Sequence, residues 1–145
     1  MPSESPEQIR AILNRVRTIA LVGASEKPNR PSHEVMVFLQ RQGYRVIPVN
    51  PRLAGQQLLS ETVYPDLASL PEPVDMADLF LAPARTDAVI DQAIAAGIPV
   101  LWLQIGVIND AGVARAEAAG LTTVMDRCPK QEIPRLGIES VSARA

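Results

Sequence analysis

Short apolar segments alternate with amphipathic helical patterns along the chain, and this alternation constrains the fold more than any other feature. Five apolar runs have the length and composition of buried strands. They cover residues 18–22, 45–49, 76–81, 100–103 and 121–125. Helical patterns between them close on glycines such as Gly43 and Gly97, and glycine commonly follows the last turn of a helix. Alternating strands and helices are typical of an α/β domain with a mainly parallel sheet.

The expected fold is therefore a Rossmann-like, doubly wound sheet of five to six strands with helices on both faces. A further short strand is predicted at 62–64 and a helical turn near 67–70. Pro48 cannot donate to a ladder, so the strand at 45–49 is expected at an edge, or with a bulge or local irregularity. The chain is expected to fray from Ala143.

Local signals also predict where helices begin. Apolar residues at helical spacing predict the first helix over 6–16, with Ser5 or Ser3 as its cap. Ser32 and Thr86 are expected to cap the two helices that follow.

The composition restricts the class of protein. The 145 residues correspond to about one domain, and 47% hydrophobic and 21% charged residues are ordinary for a globular chain. A net charge of −2 argues against a general nucleic-acid binder, which usually carries a basic face. An aromatic fraction of 3% argues against stacking of single-stranded bases. We therefore expect one domain over residues 1–145 and no nucleic-acid partner.

The sequence also bears on location and redox chemistry. Apolar runs stay well below the length of about 18 residues that spans a bilayer, so we expect no membrane partner. The start MPSESPEQIR lacks the apolar core of a secretory signal, and the expected location is cytoplasmic. The single cysteine, Cys128, excludes an internal disulfide framework and a zinc site built from several cysteines.

The loops that follow the strands are the expected ligand site, because open α/β sheets bind ligands at the carboxyl ends of their strands. If strand 18–22 lies beside strand 76–81, four loops flank one crevice. These loops are residues 23–32, 50–52, 82–86 and 104–107.

The loop at 23–32 has the features of a phosphate site. It leads from a strand into a helix, whose free N–H groups attract anions. Gly23 permits close backbone approach, and Ser25 offers a hydroxyl group. Lys27 and Arg30 offer positive charge. The complete G-x-G-x-x-G and Walker patterns are absent, and the alternative is a tight loop with solvated charges.

The residues at the end of the second strand, Asn50-Pro51-Arg52, indicate which class of nucleotide the site favours. Enzymes that use NAD carry Asp or Glu there to bind the ribose hydroxyls. An arginine can instead bind a phosphate on the ribose. Arg52 therefore favours NADP or coenzyme A over NAD, and the alternative is a solvated surface arginine.

In these segments the chain resembles the bacterial single-domain CoA-binding proteins and, more distantly, the CoA-binding domain of the succinyl-CoA synthetase alpha subunit. Residues 23–32 resemble the phosphate loop of that family, and residues 43–51 resemble its second-strand signature. Further matches are Ala82-Pro83-Ala84-Arg85 and Met125-Asp126-Arg127-Cys128. The resemblance covers residues 14–138.

The resemblance implies coenzyme A or an acyl-CoA as ligand. Gly23, Ala24 and Ser25 would contact the pyrophosphate, and Arg52 stands where the synthetase has a CoA-contacting lysine. A second CoA-contacting segment of the synthetase aligns with residues 103–105, and Pro83 and its neighbours would line the adenine side. The residues expected to bind the ligand are Gly23, Ala24, Ser25, Lys27, Arg30, Ser32, Asn50, Pro51, Arg52, Pro83, Arg85, Leu103, Gln104 and Ile105.

Catalysis stays open at this stage. The synthetase resembled here works through a phosphohistidine on a second domain, and no such domain is expected in this sequence. The single histidine, His33, either contacts a ligand phosphate or stands half exposed at a helix start. Asp75 and Asp78 are interpreted as brackets of a turn rather than as an acid–base pair. Cys128 either meets the thiol arm of CoA or closes the last strand as a small buried residue.

The sequence thus predicts binding of CoA or an acyl-CoA without catalysis or a metal, as a sensor or carrier. An NADP-dependent oxidoreductase domain is one alternative. A CoA-binding subunit that needs a separate ligase partner is another. The acyl group, the protein partner and the oligomeric state do not follow from the sequence.

Overall fold

A five-stranded parallel sheet forms the centre of the molecule. The structure is a computed structural model that describes residues 5–143. Its strands are β1 (Thr18–Val22), β2 (Arg45–Val49), β3 (Gln57–Leu58), β4 (Glu61–Thr62), β5 (Met76–Leu79), β6 (Val100–Leu103) and β7 (Thr122–Met125). The sheet has the order β2-β1-β5-β6-β7, and β3 and β4 form a separate antiparallel hairpin. The predicted doubly wound α/β fold is confirmed, including the pairing of β1 with β5.

Helices cover both faces of the sheet. They are α1 (Pro6–Arg15), α2 (Pro31–Arg41), α3 (Thr86–Ala96), α4 (Asp110–Ala118) and α5 (Pro129–Arg135). Residues of α1, α2 and α5 join one apolar cluster, and residues of α3 and α4 join the other. Within residues 5–143, no helix has the length and apolar character needed to cross a bilayer.

Side chains of each strand alternate between these two clusters. In β1, Ile19 and Leu21 belong to the cluster under α1, α2 and α5, whereas Ala20 and Val22 belong to the other. Both faces of the sheet are therefore buried, which explains why the strands are continuously apolar. Trp102 is fully buried, and its indole Nε1 donates to the carbonyl of Arg127 at 2.8 Å.

The start of α1 confirms one predicted cap. The backbone N–H of Gln8 donates to the hydroxyl of Ser5 at 3.2 Å, and the Gln8 side chain completes a capping box. The alternative cap, Ser3, lies outside the described residues.

The predicted caps of α2 and α3 are wrong. Helix α2 begins at Pro31, two residues earlier than a cap at Ser32 predicts, because proline is well suited to a first helical position. Ser32 therefore lies inside the helix. Arg85 precedes α3, and the hydroxyl of Thr86 instead donates to the carbonyl of Pro83 at 2.7 Å.

The segment predicted as a strand at 62–64 does not join the sheet as a full strand. Its first residue pairs with β3, and Tyr64 forms an isolated parallel bridge with Val49 at the end of β2. β2 is an edge strand, which confirms one of the placements predicted from Pro48. The helical turn predicted near 67–70 is a 3₁₀ turn at Leu67–Ser69.

Helix α5 has no counterpart in the prediction from sequence. Two of its seven residues, Pro129 and Pro134, are prolines, so a helical pattern is hard to detect there. Ala143, where fraying is predicted to begin, closes a 3₁₀ turn at Val141–Ala143. The last residues of that prediction, 144–145, lie outside the described range.

A buried carboxyl group lies within the sheet. Asp75 brackets the start of β5 as predicted, because its carboxylate accepts from the N–H of Thr18 at 3.1 Å. The same interpretation is wrong for Asp78, which lies inside β5 between Leu21 and Trp102 of the neighbouring strands. It is fully buried, and neither carboxyl oxygen has a hydrogen-bond partner among the described residues. Burial raises the pKa of Asp78 well above its usual range, so the neutral acid is favoured.

Candidate functional site

A cavity of about 1300 Å³ opens at the carboxyl edge of the sheet. Its walls come from the loops after β1, β2, β5 and β6 and from the turn between β7 and α5. Pockets for drug-sized ligands commonly measure about 300–1,000 Å³, so this cavity has room for a larger ligand. The four predicted loops therefore converge on one site.

Most residues predicted to bind a ligand line this cavity. They are Gly23, Ala24, Ser25, Lys27, Arg30, Ser32, Asn50, Pro51, Arg52, Arg85, Gln104 and Ile105. Leu103 lies outside this lining, because its side chain is fully buried in the core between β5 and β7. Pro83 lies outside it as well and begins an exposed 3₁₀ turn. The cavity lining does not include Leu103 and Pro83, and their ligand contacts stay predictions.

Gly23 occupies the tightest position in the site. Its φ of +89° is in the region that side chains rarely adopt, and a Cβ atom there would lie 2.1 Å from the carbonyl oxygen of Phe80. Its N–H donates to the carbonyl of Val49 at 2.9 Å. The close approach of β1, β2 and β5 therefore requires glycine here, independently of any ligand.

Two polar side chains hold the loop after β1 in place. The Asn50 amide donates to the carbonyl of Ala24 at 2.8 Å, and its oxygen accepts from the N–H of Arg52 at 2.9 Å. His33 Nδ1 lies 2.8 Å from the carbonyl of Ser25, to which it donates as the Nδ1–H tautomer. His33 lies outside the cavity lining, and its contact with a ligand phosphate stays a prediction.

Arg52 already has an acidic partner. Its guanidinium nitrogens lie 3.4 and 3.5 Å from the carboxylate of Glu26, and both side chains are largely exposed. The hydrogen bond from Arg52 lowers the pKa of Glu26. A ligand phosphate that binds Arg52 must therefore displace the Glu26 carboxylate or share the guanidinium group with it. Sequence reasoning missed Glu26, although an acidic residue in an otherwise basic loop is a visible signal.

The first turn of α2 faces the cavity. Arg30 is the residue before the helix, and no side chain within the described range caps it. Ser32, in this first turn, is 5% exposed and lines the cavity. In this turn Pro31 has no N–H, and those of His33 and Glu34 donate to the carbonyl of Arg30. The N–H of Ser32 has no partner among the described residues, so this helix start can donate one backbone hydrogen bond to a phosphate.

The lining is positively charged although the whole chain is slightly acidic. Five cationic side chains and two carboxylates contribute to it. The cations are Lys27, Arg30, Arg52, Arg85 and Lys130, and the carboxylates are Glu34 and Asp66. Lys130 was missed together with α5, although a proline directly after Cys128 is a common helix start. Local positive charge in a cleft favours an anionic ligand.

Apolar side chains also contribute to the wall. Phe80, Leu81 and Val107 line the cavity, and Ile105, also in the lining, is 53% exposed. Gln104 lies among them at 6% exposure, and its Oε1 has no hydrogen-bond partner within residues 5–143. The described residues contain no cluster of three His, Cys, Asp or Glu side chains able to hold a metal ion.

These features together define a class of protein. It is a doubly wound α/β domain with a cavity at the carboxyl edge of the sheet, lined both by cationic and by apolar side chains. Ligands with a charged nucleotide head and a long neutral arm fit such a lining.

Comparison with known proteins makes this class specific. The family described as CoA binding domain matches residues 17–134. The uncharacterized protein YneT of Bacillus subtilis is 32% identical over 130 residues, which cover 90% of this chain and 95% of that protein. The chain therefore belongs to the CoA binding domain family.

Solved structures agree with this assignment. A hypothetical protein from Pyrococcus horikoshii OT3 is 39% identical with a TM-score of 0.88, over 94% of this chain and 96% of that one. The ID.343 protein of Thermus thermophilus is 38% identical with a TM-score of 0.87, over 91% and 98% of the two chains.

Proposed function

We propose that this chain binds coenzyme A in the carboxyl-edge cavity. The observation that carries the proposal is one continuous cavity that joins the loop at Gly23, the uncapped start of α2 and the cation Arg52. The pyrophosphate lies against the loop and the helix start, where the N–H of Ser32 has no partner among the described residues. The ribose phosphate lies at Arg52, which can hold it with two parallel hydrogen bonds.

The part of the cavity lined by Leu81, Gln104 and Ile105 receives the pantetheine arm. Leu81 and Ile105 cover its methyl and methylene groups. The Gln104 side chain turns on binding, so that its Oε1, buried and without a partner among the described residues, accepts from an amide N–H of the arm. An acyl group on the thiol would extend along the same apolar surface, so acyl-CoA is included in the proposed ligand class.

We further propose that the ligand is held without being transformed, as by a sensor or carrier in the cytoplasm. The histidine that a phosphoryl-transfer mechanism would use is engaged with the carbonyl of Ser25, behind the loop. Incubation with acetyl-CoA followed by mass spectrometry tests this point. Release of the acyl group at a rate above that of a protein-free control would contradict it.

Titration calorimetry with four ligands tests the binding itself. The expected order of affinity is CoA, then dephospho-CoA and NADP, then NAD, because CoA matches both the phosphate positions and the apolar side chains of the lining. Tighter binding of NADP than of CoA would favour the oxidoreductase alternative. Binding of CoA only after addition of a ligase chain would favour the partner-dependent subunit.

A further inference from the structure

One loop carries the exposed large apolar side chains of the described residues. They are Ile105 and Ile108, which are 53% and 42% exposed, and both belong to the loop between β6 and α4. Ile105 lines the carboxyl-edge cavity, whereas Ile108 lies outside its lining. Covering an exposed apolar side chain in a cavity wall removes apolar area from water, so Ile105 favours an apolar group on the ligand.

The backbone holds this loop in a defined position. The N–H of Gly106 donates to the carboxylate of Asp126 at 2.8 Å, and the N–H of Asp126 donates to the carbonyl of Leu103 at 2.8 Å. Asp126 has a φ of +64°, a conformation that is uncommon outside glycine and that aspartate tolerates better than most residues. Backbone conformations of this kind concentrate at ligand sites. The turn after β7 therefore fixes the loop that presents Ile105.

The sheet order places Ile105 far from the ribose phosphate of the proposed ligand. Arg52, the proposed site of that phosphate, follows the edge strand β2, whereas Ile105 follows β6, three places along the sheet. The proposed function puts the pantetheine arm beside Leu81, Gln104 and Ile105. Gln104 is buried and Leu81 is half-buried, so the exposed Ile105 forms the rim of this part of the cavity. A group carried by the sulfur at the end of the arm therefore extends over Ile105.

We propose that Ile105 selects a CoA thioester whose aliphatic acyl chain is longer than acetyl over free CoA, an inference that rests on the proposed function. The acyl chain covers the Ile105 side chain, which free CoA leaves largely in water. Asp126 is a positioning residue for this selection, because it acts through its hydrogen bond with the N–H of Gly106. The thioester is bound without being cleaved.

Titration calorimetry with CoA, acetyl-CoA, butanoyl-CoA and hexanoyl-CoA tests this inference. A fully buried methylene group contributes about 0.8 kcal/mol, and half of that at an exposed rim corresponds to about a two-fold gain in affinity for each methylene group. Wild type should therefore bind hexanoyl-CoA about 15-fold more tightly than acetyl-CoA, with butanoyl-CoA between them.

Two substitutions in the same loop show whether Ile105 carries the selection. Ile105→Ser should lose most of the affinity ratio between hexanoyl-CoA and acetyl-CoA, whereas Ile105→Leu should keep it. Ile108→Ser is the matched control, because Ile108 is similarly exposed but lies outside the cavity lining. Its ratio should equal that of wild type.

A second pair of variants tests the positioning role of Asp126. Asp126→Ala should reduce the same affinity ratio, because the N–H of Gly106 loses its acceptor. Asp126→Asn should keep the ratio, since asparagine retains a side-chain oxygen and also tolerates a positive φ. Equal ratios in the alanine and asparagine variants would overturn the role of Asp126.

The binding of free CoA separates the two ways to fail. If wild type binds CoA and the three thioesters equally, the acyl selection is wrong and the binding function stands. A chain-length ratio that persists in Ile105→Ser, or that falls equally in Ile108→Ser, also overturns the assignment to Ile105. If wild type binds none of the four ligands, the proposed function is wrong and the acyl selection falls with it.

Discussion

The two halves of the cavity are built in different ways. In the half formed by the loops after β1 and β2, polar groups bind one another. The Asn50 amide donates to Ala24, and Arg52 pairs with Glu26. In the half formed after β6 and β7, the side chains that line the cavity are apolar or, like those of Gln104 and Lys130, lack a hydrogen-bond or ion-pair partner at Gln104 Oε1 and Lys130 Nζ among residues 5–143. Gln104 has a buried acceptor with no partner among the described residues, and Ile105 is more than half exposed.

The two halves therefore differ in their hydrogen bonds: those of the first half exist before a ligand binds, and the second half forms one with the ligand. The first half is held in shape by the fold, so a phosphate meets groups that are already positioned. The second half lacks a donor that the ligand itself can supply. Substitutions in the first half should therefore change stability and affinity together, whereas those in the second half should change affinity with little or no loss of stability.

Gly23→Ala should have the largest effect on stability, because the added methyl group displaces the backbone of the loop in the first half of the cavity. Its Cβ would meet the Phe80 carbonyl at 2.1 Å, in addition to the strain of a positive φ. Gly55→Ala is the matched control, because its φ of +86° is similar and nothing lies within 4 Å of the added atom. Urea unfolding should show a loss of about 1–2 kcal/mol for Gly55→Ala and about 2–5 kcal/mol for Gly23→Ala. Equal losses would remove the Phe80 contact as the reason for glycine.

The Gly23 comparison also shows what the sequence could predict. A glycine directly after an apolar run marks the end of β1, and the bounds of β1, β2 and β6 follow from such local patterns. The contact between Gly23 and Phe80 does not follow, since it joins residues 57 positions apart that become neighbours only when β1 and β5 pair. Local patterns therefore predict well where helices and strands lie. They predict less well which long-range contact requires a particular residue type at a position.

The errors have the same origin. Asp78 resembles a turn residue in the sequence, but the pairing of β5 on both sides places it inside the sheet. Leu103 aligns with a ligand-contacting segment, and the alternation of the strand turns its side chain to the core and leaves Gln104 at the cavity, so its ligand contact stays a prediction. Helix α5 was missed because its two prolines resemble loop signals, and Lys130 was missed with it.

Asp78→Asn should change stability in a pH-dependent way and leave both halves of the cavity intact. Burial raises the pKa of Asp78 in the folded state above the value of about 3.9 in an unfolded chain. Between these two values the folded protein keeps a proton that the unfolded chain releases. The free energy of unfolding of the wild type therefore falls as pH rises, by up to about 1.4 kcal/mol per pH unit.

The measurement is urea unfolding of wild type and Asp78→Asn at several pH values from 4 upward. The stability of Asp78→Asn relative to wild type should grow with pH, while CoA affinity stays the same because the carboxyl group faces the core. Parallel curves for the two proteins would contradict a raised pKa. A change in CoA affinity would contradict the separation of the buried carboxyl from the site.

Arg52→Ala should remove the preference for the ribose phosphate. A hydrogen bond to a charged group contributes about 1.5–3 kcal/mol, so wild type should prefer CoA to dephospho-CoA by about 10- to 150-fold. The variant should lose most of this preference and bind dephospho-CoA almost as wild type does. Calorimetry with two proteins and two ligands at one salt concentration measures it. Equal losses for both ligands would place Arg52 at the pyrophosphate instead.

Gln104→Met tests the second half of the cavity. It removes a buried acceptor without a partner among the described residues, so stability should stay equal or rise by about 1 kcal/mol. CoA affinity should fall about 2- to 12-fold, the value of one neutral hydrogen bond. Gln92→Met is the matched control, because the Gln92 side chain accepts from the N–H of Leu67 at 3.1 Å. That variant should lose stability, and a stability loss of equal size in Gln104→Met would break the comparison between the halves.

Glu26→Gln should have the smallest effect and addresses the first half most directly. The Glu26 carboxylate is paired with the guanidinium group of Arg52, where the ribose phosphate is proposed to bind. Glutamine has the shape of glutamate without its charge. Because the pair is exposed, CoA affinity should rise only about two- to five-fold, with no change for dephospho-CoA. The gain should vanish in an Arg52→Ala background and shrink at high salt. Arg52 lowers the pKa of Glu26, so protonation should remove the gain only below the pH range in which a free glutamate titrates. A gain of equal size for both ligands would mean that Glu26 repels the nucleotide as a whole, and Arg52 would then not be the group for which the phosphate competes.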